Sequence, residues 1–451
     1  MSTLASPRVI VVGAGPCGLA CGRELQLLGH GDWAVYERAS DPGGHAGSVV
    51  DPAGFTWDLG GHVVFSHYGE FDRILAETLG DDVHEHERSS YVRLDSRWVP
   101  YPFQNNLRHL PPEDAYDCLI GLIDAPGADS DVSFAEWMLG TFGEGITRRF
   151  MRPYNTKVWA VEPERMSATW IAERVSVPDR RRALRNVLLE LDDVAWGPNN
   201  TFLFPRSGGT GEIYRRLARM LGAHVQYGRE LVAVDTRERV VRFADGGSDG
   251  YDALVSTMPL DLLVAAIVDC PADVRAAAAA LEHNGVWVVG VGCERPLQDD
   301  RSWLYFAHPD VPFYRVTNFA KYAAANVPDA DTARYSSFLT ETSYSDYRPG
   351  NRSSVEEDVV DGLVATGLLD RDVPLASVHT IDAEYAYPIP TRDRDASLAV
   401  VQPWLREQGI YSRGRFGSWR YEIGNMDHAA RMGIDVARLL LEGRPEEVWS
   451  T

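Results

Sequence analysis

Val9-Ile-Val-Val-Gly13-Ala-Gly15-Pro-Cys-Gly18-Leu-Ala-Cys-Gly22, with Glu37 nineteen positions beyond Gly18, decides the fold. Four consecutive apolar residues suit a strand buried on both faces of a parallel sheet. Gly13 permits the tight turn that follows. Gly15 lets backbone N–H groups approach a pyrophosphate, and Gly18 lets the next helix pack closely on the strand. The anion then lies at the positive end of that helix. Pro16 and Cys17 share the turn. Trp33-Ala-Val-Tyr36 reads as a second strand. Glu37 at its end stands where the ribose hydroxyl of an adenine nucleotide is met, with Arg38 beside it. An ordinary glycine-rich turn would leave Glu37 without a reason.

Two more glycine clusters follow, Asp41-Pro-Gly43-Gly44-His-Ala-Gly47 and Asp58-Leu-Gly60-Gly61-His62. In a plain nicotinamide dehydrogenase the chain would run on here to its third strand. Closely spaced glycine turns suit a backbone folded against a second, flat part of the ligand. Gly43, Gly44, Gly60 and Gly61 therefore join the cofactor contacts, and the cofactor reads as FAD.

The chain has 451 residues, 45% of them apolar, which suggests two or three domains. A net charge of −21 argues against nucleic acid or an anionic membrane as partner. A negative small substrate needs local arginines to draw it in. The five cysteines are scattered. The pair Cys17 and Cys21 falls in the phosphate turn and its helix, where small residues serve packing. This usage suits a reducing cytoplasm, with no disulfide framework. The first strand starts within nine residues of Met1, with no basic segment before an apolar one, so no secretory leader is expected. No apolar run approaches the length of a membrane span. His62 and His67 are spaced wrongly for one helical face, and no metal site is expected.

Residues 105–195 read as mostly helical, with Ser133-Phe-Ala-Glu136 as a capping box and Val187–Leu191 as a further helical face. Strands return at 225–227, 231–234, 240–243, 253–257, 286–291, 303–306 and 336–340. A strand at 410–412 and a helix over 429–441 complete the cofactor fold from the C-terminal side. The expected division is an FAD-binding domain over 1–84, 204–284 and 380–451, a helical domain over 104–203, and a sheet domain over 85–103 and 285–379.

Several segments are rich in arginine, tyrosine, tryptophan and asparagine: Trp98 to Asn106, Phe150 to Trp159, Trp170 to Arg174, Trp196 to Asn199, Phe204 to Gly211, Trp303 to Arg315, Tyr385 to Tyr387 and Arg413 to Tyr421. Aromatic faces stack on a base, and arginine forks grip pyrophosphate. Each alone suits packing; together in an acidic chain they suit a nucleotide sugar.

These segments resemble the flavin-dependent UDP-galactopyranose mutases, most of all the eukaryotic branch. The resemblance runs from the first strand to about Ala430 and includes Gly60-Gly-His62-Val-Val-Phe65-Ser-His67, Met151 to Trp159, Gly208-Gly-Thr-Gly211 and Ser412 to Asp427. It implies an α/β fold: a discontinuous Rossmann-like FAD-binding domain of glutathione-reductase type, with an inserted helical domain and an antiparallel sheet domain. It implies that Arg174 and Arg315 clamp the substrate's pyrophosphate, and that Tyr305, Tyr387 and Tyr421 donate to its phosphates. Tyr101, Phe103, Gln104, Met151, Asn155 and Trp159 would hold uridine, and Trp303 and Asn199 would bound the sugar. His62 would sit against the isoalloxazine. Arg88, Arg415, Gly424, Asn425 and Met426 would lie around the flavin.

The implied reaction interconverts UDP-galactopyranose and UDP-galactofuranose. In the family, N5 of reduced flavin attacks the anomeric carbon, UDP leaves, the adduct opens, the 4-OH closes a five-membered ring, and UDP returns. FAD is active only when reduced, and NADPH is the expected reductant. The chain departs from the family at Met426, where an amide is usual, at His45, where an apolar residue is usual, and in a shorter stretch 320–336. Oligomeric state is left open. Other readings stay open too: the same chemistry on a different nucleotide sugar, an amine-oxidase-like or desaturase-like oxidation, or flavin binding without catalysis.

Overall fold

The computed structural model describes residues 7–129, 131–171, 174–194 and 201–449. Val9–Val12 forms the centre of a five-stranded parallel sheet in the order 410–412, 253–256, 9–12, 33–36, 225–226. Val9 pairs with Ala253 on one side and Trp33 on the other. All four residues of the strand are buried, as an unbroken apolar run requires. The sheet draws its strands from distant parts of the chain, which gives the discontinuous dinucleotide-binding fold.

The helix Pro16–Leu27 follows the first strand. Gly13 takes φ +100°, a conformation that side chains disfavour. A Cβ on Gly18 would lie 1.9 Å from the Gly13 carbonyl oxygen. Helix and turn therefore meet backbone to backbone. On the far side, a Cβ on Gly433 of the helix Met426–Glu442 would lie 2.0 Å from the Cys17 carbonyl oxygen. Cys17 and Cys21 are buried in this contact. Burial pushes the Cys17 thiol up to about 12, so it packs and does not react.

The inserted helices are Pro112–Asp124, Phe134–Ile146, Arg152–Trp159 and Arg180–Leu188. The capping box is present: Glu136 N donates to Ser133 Oγ at 3.2 Å, and Ser133 N donates to Glu136 Oε2 at 2.9 Å. The helical face expected over Val187–Leu191 is cut short. The helix stops at Leu188, and Glu190 takes φ +54°. Leu188 and Leu189 are exposed, so no core rewards another turn.

The third part is a seven-stranded sheet in the order 375–388, 283–293, 336–344, 315–318, 303–306, 90–94, 97–100. One pair breaks its antiparallel pattern: Trp303–Phe306 runs parallel to Ser90–Leu94. That strand arrives from a distant part of the chain, and no hairpin dictates its direction. Gly290 and Gly292, in the strand 283–293, face Trp57 and Phe55. A Cβ at either glycine would lie 2.5 Å from the ring it faces. These two rings lock the sheet onto the dinucleotide-binding part. Among the described residues no helix is long and apolar enough to cross a membrane.

Candidate active site

The turn after the first strand opens into a cavity of about 680 Å³, here the phosphate-turn cavity. Gly13, Gly15, Pro16 and Cys17 line one end, and Glu37 and Arg38 line the side. Gly44, Gly61 and His62 form another wall; Arg415, Gly424, Asn425 and Met426 close the far side. Gly18, Gly43 and Gly60 do not line it. They act behind it, and Gly43 at φ +118° sets the second glycine turn.

Glu37 accepts from Ala14 N at 2.7 Å and Ala39 N at 2.8 Å. Two backbone donors thus fix its carboxylate at the end of the second strand. The helix Pro16–Leu27 has no side-chain cap and no acid in its first turn. Its N-terminal N–H groups suit a bound phosphate. Burial, together with the charges of Arg415 and Arg315, pushes His62 down to about 3, so the imidazole is neutral. His62 Nδ1 is buried without a hydrogen-bond partner from the described residues. Trp303 Nε1 and Thr317 Oγ1 are in the same state, and both face Gly61, at 3.1 and 2.7 Å from the point where its Cβ would be. A glycine cradle, an uncapped helix and orphaned polar atoms together fit a dinucleotide with a flat polar ring. His45 also lines this cavity and bonds to the Tyr385 carbonyl. Burial lowers it to about 4, so it stands neutral against Phe416 at 5.6 Å, which suits a place usually held by an apolar residue.

A second cavity of about 680 Å³, here the arginine cavity, lies alongside. Trp303, Arg315, Tyr387, Tyr421 and Asn425 line both. Arg174, Tyr101, Gln104, Met151, Asn155, Trp159 and Tyr305 line the arginine cavity as well. Phe103 does not: it is fully buried behind the wall, 4.9 Å from the Phe150 ring. Asn199 lies outside the described residues. Arg88, expected beside the flavin, lines the arginine cavity and not the other. It donates to Tyr305 Oη at 2.9 Å and stacks over Trp303 at 5.0 Å.

The two arginines are held differently. Arg315 faces Glu341 across neighbouring strands and grips it with both nitrogens of its fork, Nη2 to Oε1 at 2.6 Å. Glu341 is 2% exposed. Burial opposes the charge on Arg315, but Glu341 outweighs it and the pKa rises. Arg174 is held by a turn of main chain. Its fork donates to Glu422 O at 2.7 Å, Tyr421 O at 3.1 Å and Asn425 Oδ1 at 2.5 Å. The turn 421–425 therefore joins an arginine of one cavity to the wall of the other.

A family profile described as flavin containing amine oxidoreductase matches residues 16–362. The chain belongs to that family. It is 38% identical to a protein whose crystal structure is that of a reduced UDP-galactopyranose mutase, with TM-score 0.95 over 99% of this chain and 97% of that one. By that likeness the chain belongs with the flavin UDP-galactopyranose mutases. It is 30% identical over 192 residues to the zeta-carotene desaturase of Synechocystis sp., and the match spans 36% of this chain and 39% of the desaturase. A fatty acid isomerase from P. acnes that produces CLA shares the fold alone, at 16% identity and TM-score 0.68.

The site also includes residues that carry little signal in the sequence. Thr257, Met258 and Pro259 line the phosphate-turn cavity just past the strand Ala253–Ser256. Their signal is position, since ligands bind beyond the carboxyl ends of parallel strands. Glu341 carries a weaker signal, an acid in the middle of a buried strand. Tyr314 donates to Glu341 Oε1 and meets Tyr387 Oη, both at 3.2 Å. His67 sits beside Asp427 and His428, with one ligand-type atom of each within 4.8 Å of the others. Asp427 Oδ2 accepts from both His67 N and Nδ1.

Proposed function

We propose that this chain interconverts UDP-galactopyranose and UDP-galactofuranose, with FAD in the phosphate-turn cavity and the nucleotide sugar in the arginine cavity. The shared wall supports this reading most: Trp303, Arg315, Tyr387 and Tyr421 border both cavities, so a sugar there meets a flavin ring. In this reading the three parts of the chain keep the limits expected above, except that the sheet part runs on to Pro388, the end of the strand Leu375–Pro388. Bound and reduced by NADPH, the flavin supplies a nucleophilic nitrogen that lets the anomeric C–O bond break and re-form without net redox change.

The chain's own residues bind and orient. Arg315, kept charged by Glu341, holds the diphosphate as negative charge grows on departing UDP. Arg174 exchanges carbonyl partners on 421–425 for phosphate oxygens. Tyr305, Tyr387 and Tyr421 donate to the phosphates. Tyr101, Gln104, Met151, Asn155 and Trp159 enclose uridine, with Phe103 supporting them from behind. Trp303 and Asn199 bound the sugar. Neutral His62 offers Nδ1 to the flavin and puts no positive charge beside it.

Anaerobic chromatography of UDP-galactofuranose with dithionite-reduced protein should yield UDP-galactopyranose, and oxidised protein should yield none. Equal conversion by the oxidised form would overturn the proposal. The identity to a zeta-carotene desaturase favours a second reading, a desaturase-like oxidation. It gives the paired arginines no role and predicts turnover by oxidised flavin.

A further inference from the structure

The helix Arg152–Trp159 carries Asn155 and Trp159 of the arginine cavity. On the same helix, Lys157 Nζ donates to three backbone carbonyls: His308 O at 2.9 Å, Val311 O at 2.9 Å and Phe313 O at 2.7 Å. Burial lowers Lys157 to about 7, but an ammonium has three N–H donors and each has an acceptor here, so the three carbonyls favour the charged form. All three carbonyls belong to the connection 307–314 between the strands Trp303–Phe306 and Arg315–Asn318. That connection is longer than the about two to five residues of an ordinary hairpin loop. Its ends are closed by Phe306 N to Tyr314 O at 2.9 Å, and Tyr314 N donates to Glu341 O of the strand Ser336–Tyr344 at 3.0 Å. The two strands present Trp303, Tyr305 and Arg315 to the cavity.

We propose that Lys157 is a positioning residue for the diphosphate clamp. By tying the 307–314 connection to the helix of Asn155 and Trp159, it sets Arg315 and Tyr305 at a fixed reach from the base-binding wall. The inference rests on the nucleotide-sugar reading above. Only a lysine suits this position. Arginine spreads its donors in a planar fork and cannot converge on three carbonyls from one nitrogen, and methionine keeps the stem without the donors.

The test compares UDP with uridine on the flavin-loaded protein. Lys157→Met should weaken UDP binding by about tenfold or more. Uridine affinity should stay within about twofold and the flavin absorbance should be unchanged, because the base wall and cofactor cavity stay in place. Lys157→Arg should behave like the methionine variant. UDP binding as tight as the parent's overturns the inference, and so does an equal loss for uridine and UDP, which marks general loosening. If Lys157→Met does not fold, amide hydrogen exchange on the unaltered protein decides: UDP should slow exchange over 307–314 and uridine should not, and equal effects overturn the inference. Failure of the unaltered protein to bind UDP overturns the nucleotide reading and this inference with it. Retained UDP binding by the variant overturns this inference alone.

Discussion

Arg174→Ala should weaken UDP binding about tenfold to a hundredfold and leave the flavin in place. The fork of Arg174 donates to Tyr421 O, Glu422 O and Asn425 Oδ1. Binding a diphosphate exchanges some of these neutral acceptors for charged oxygens. A hydrogen bond to a charged group contributes about 1.5–3 kcal/mol, and about 1.4 kcal/mol is a factor of ten in affinity. The carbonyl bonds given up hold the net effect below the sum of two such bonds. Arg174→Lys keeps the charge and loses the fork, so it should fall between parent and alanine. Titration calorimetry with UDP and with uridine separates the clamp from the base wall, and the visible spectrum reports the flavin. UDP affinity within about twofold of the parent would refute the assignment.

Gly18→Ala should fold poorly or lose its flavin, because the new Cβ meets the Gly13 carbonyl oxygen at 1.9 Å; a normal yellow holoprotein would contradict the close packing. Glu341→Gln leaves Arg315 without its counter-charge and should cost about 3–5 kcal/mol of stability, read by urea unfolding; an unchanged midpoint would count against a buried pair. Asp58 is raised from 3.8 to about 7 by burial, against opposing hydrogen bonds from Ser48 and Thr210. A carboxyl raised on folding stabilises fully below its unfolded pKa and loses that contribution as pH climbs through the folded value. Asp58→Asn should therefore gain on the parent between about pH 4 and pH 8 in paired urea titrations, and a constant gap would refute the shift.

What is legible in the chain and what is hidden follow from the range of the interactions. Gly13, Gly15 and Gly18 are legible because their constraint is local: strand, turn and helix meet within ten positions. Ser133 and Glu136 are legible for the same reason. Arg174 and Arg315 stand out as arginines among aromatics, but their holders do not. Glu341 pairs with Arg315 only through the register of two strands. The three carbonyls that receive Lys157 and the Tyr421 and Glu422 carbonyls that receive Arg174 are main chain, and any sequence supplies them; Asn425 Oδ1 adds one side-chain acceptor for Arg174. Arg88 is placed at the flavin by the family resemblance alone. It lies just before the strand Ser90–Leu94, and the parallel pairing of that strand with Trp303–Phe306 brings it to the other cavity. Val187–Leu191 reads as helix from its leucines, yet two of them face solvent.

The sheet that holds Val9–Val12 takes its outer strand from Ile410–Ser412, and the residues that close the cofactor cavity follow at 414–427. A ribosome delivers that piece some four hundred residues after the glycine turn. Until then the strand Ala253–Ser256 has an unpaired margin, a template for wrong partners. A ligand that binds only the finished fold stabilises it by mass action. Flavin starvation during synthesis should therefore divert this chain into aggregates, and riboflavin supply should govern its soluble yield.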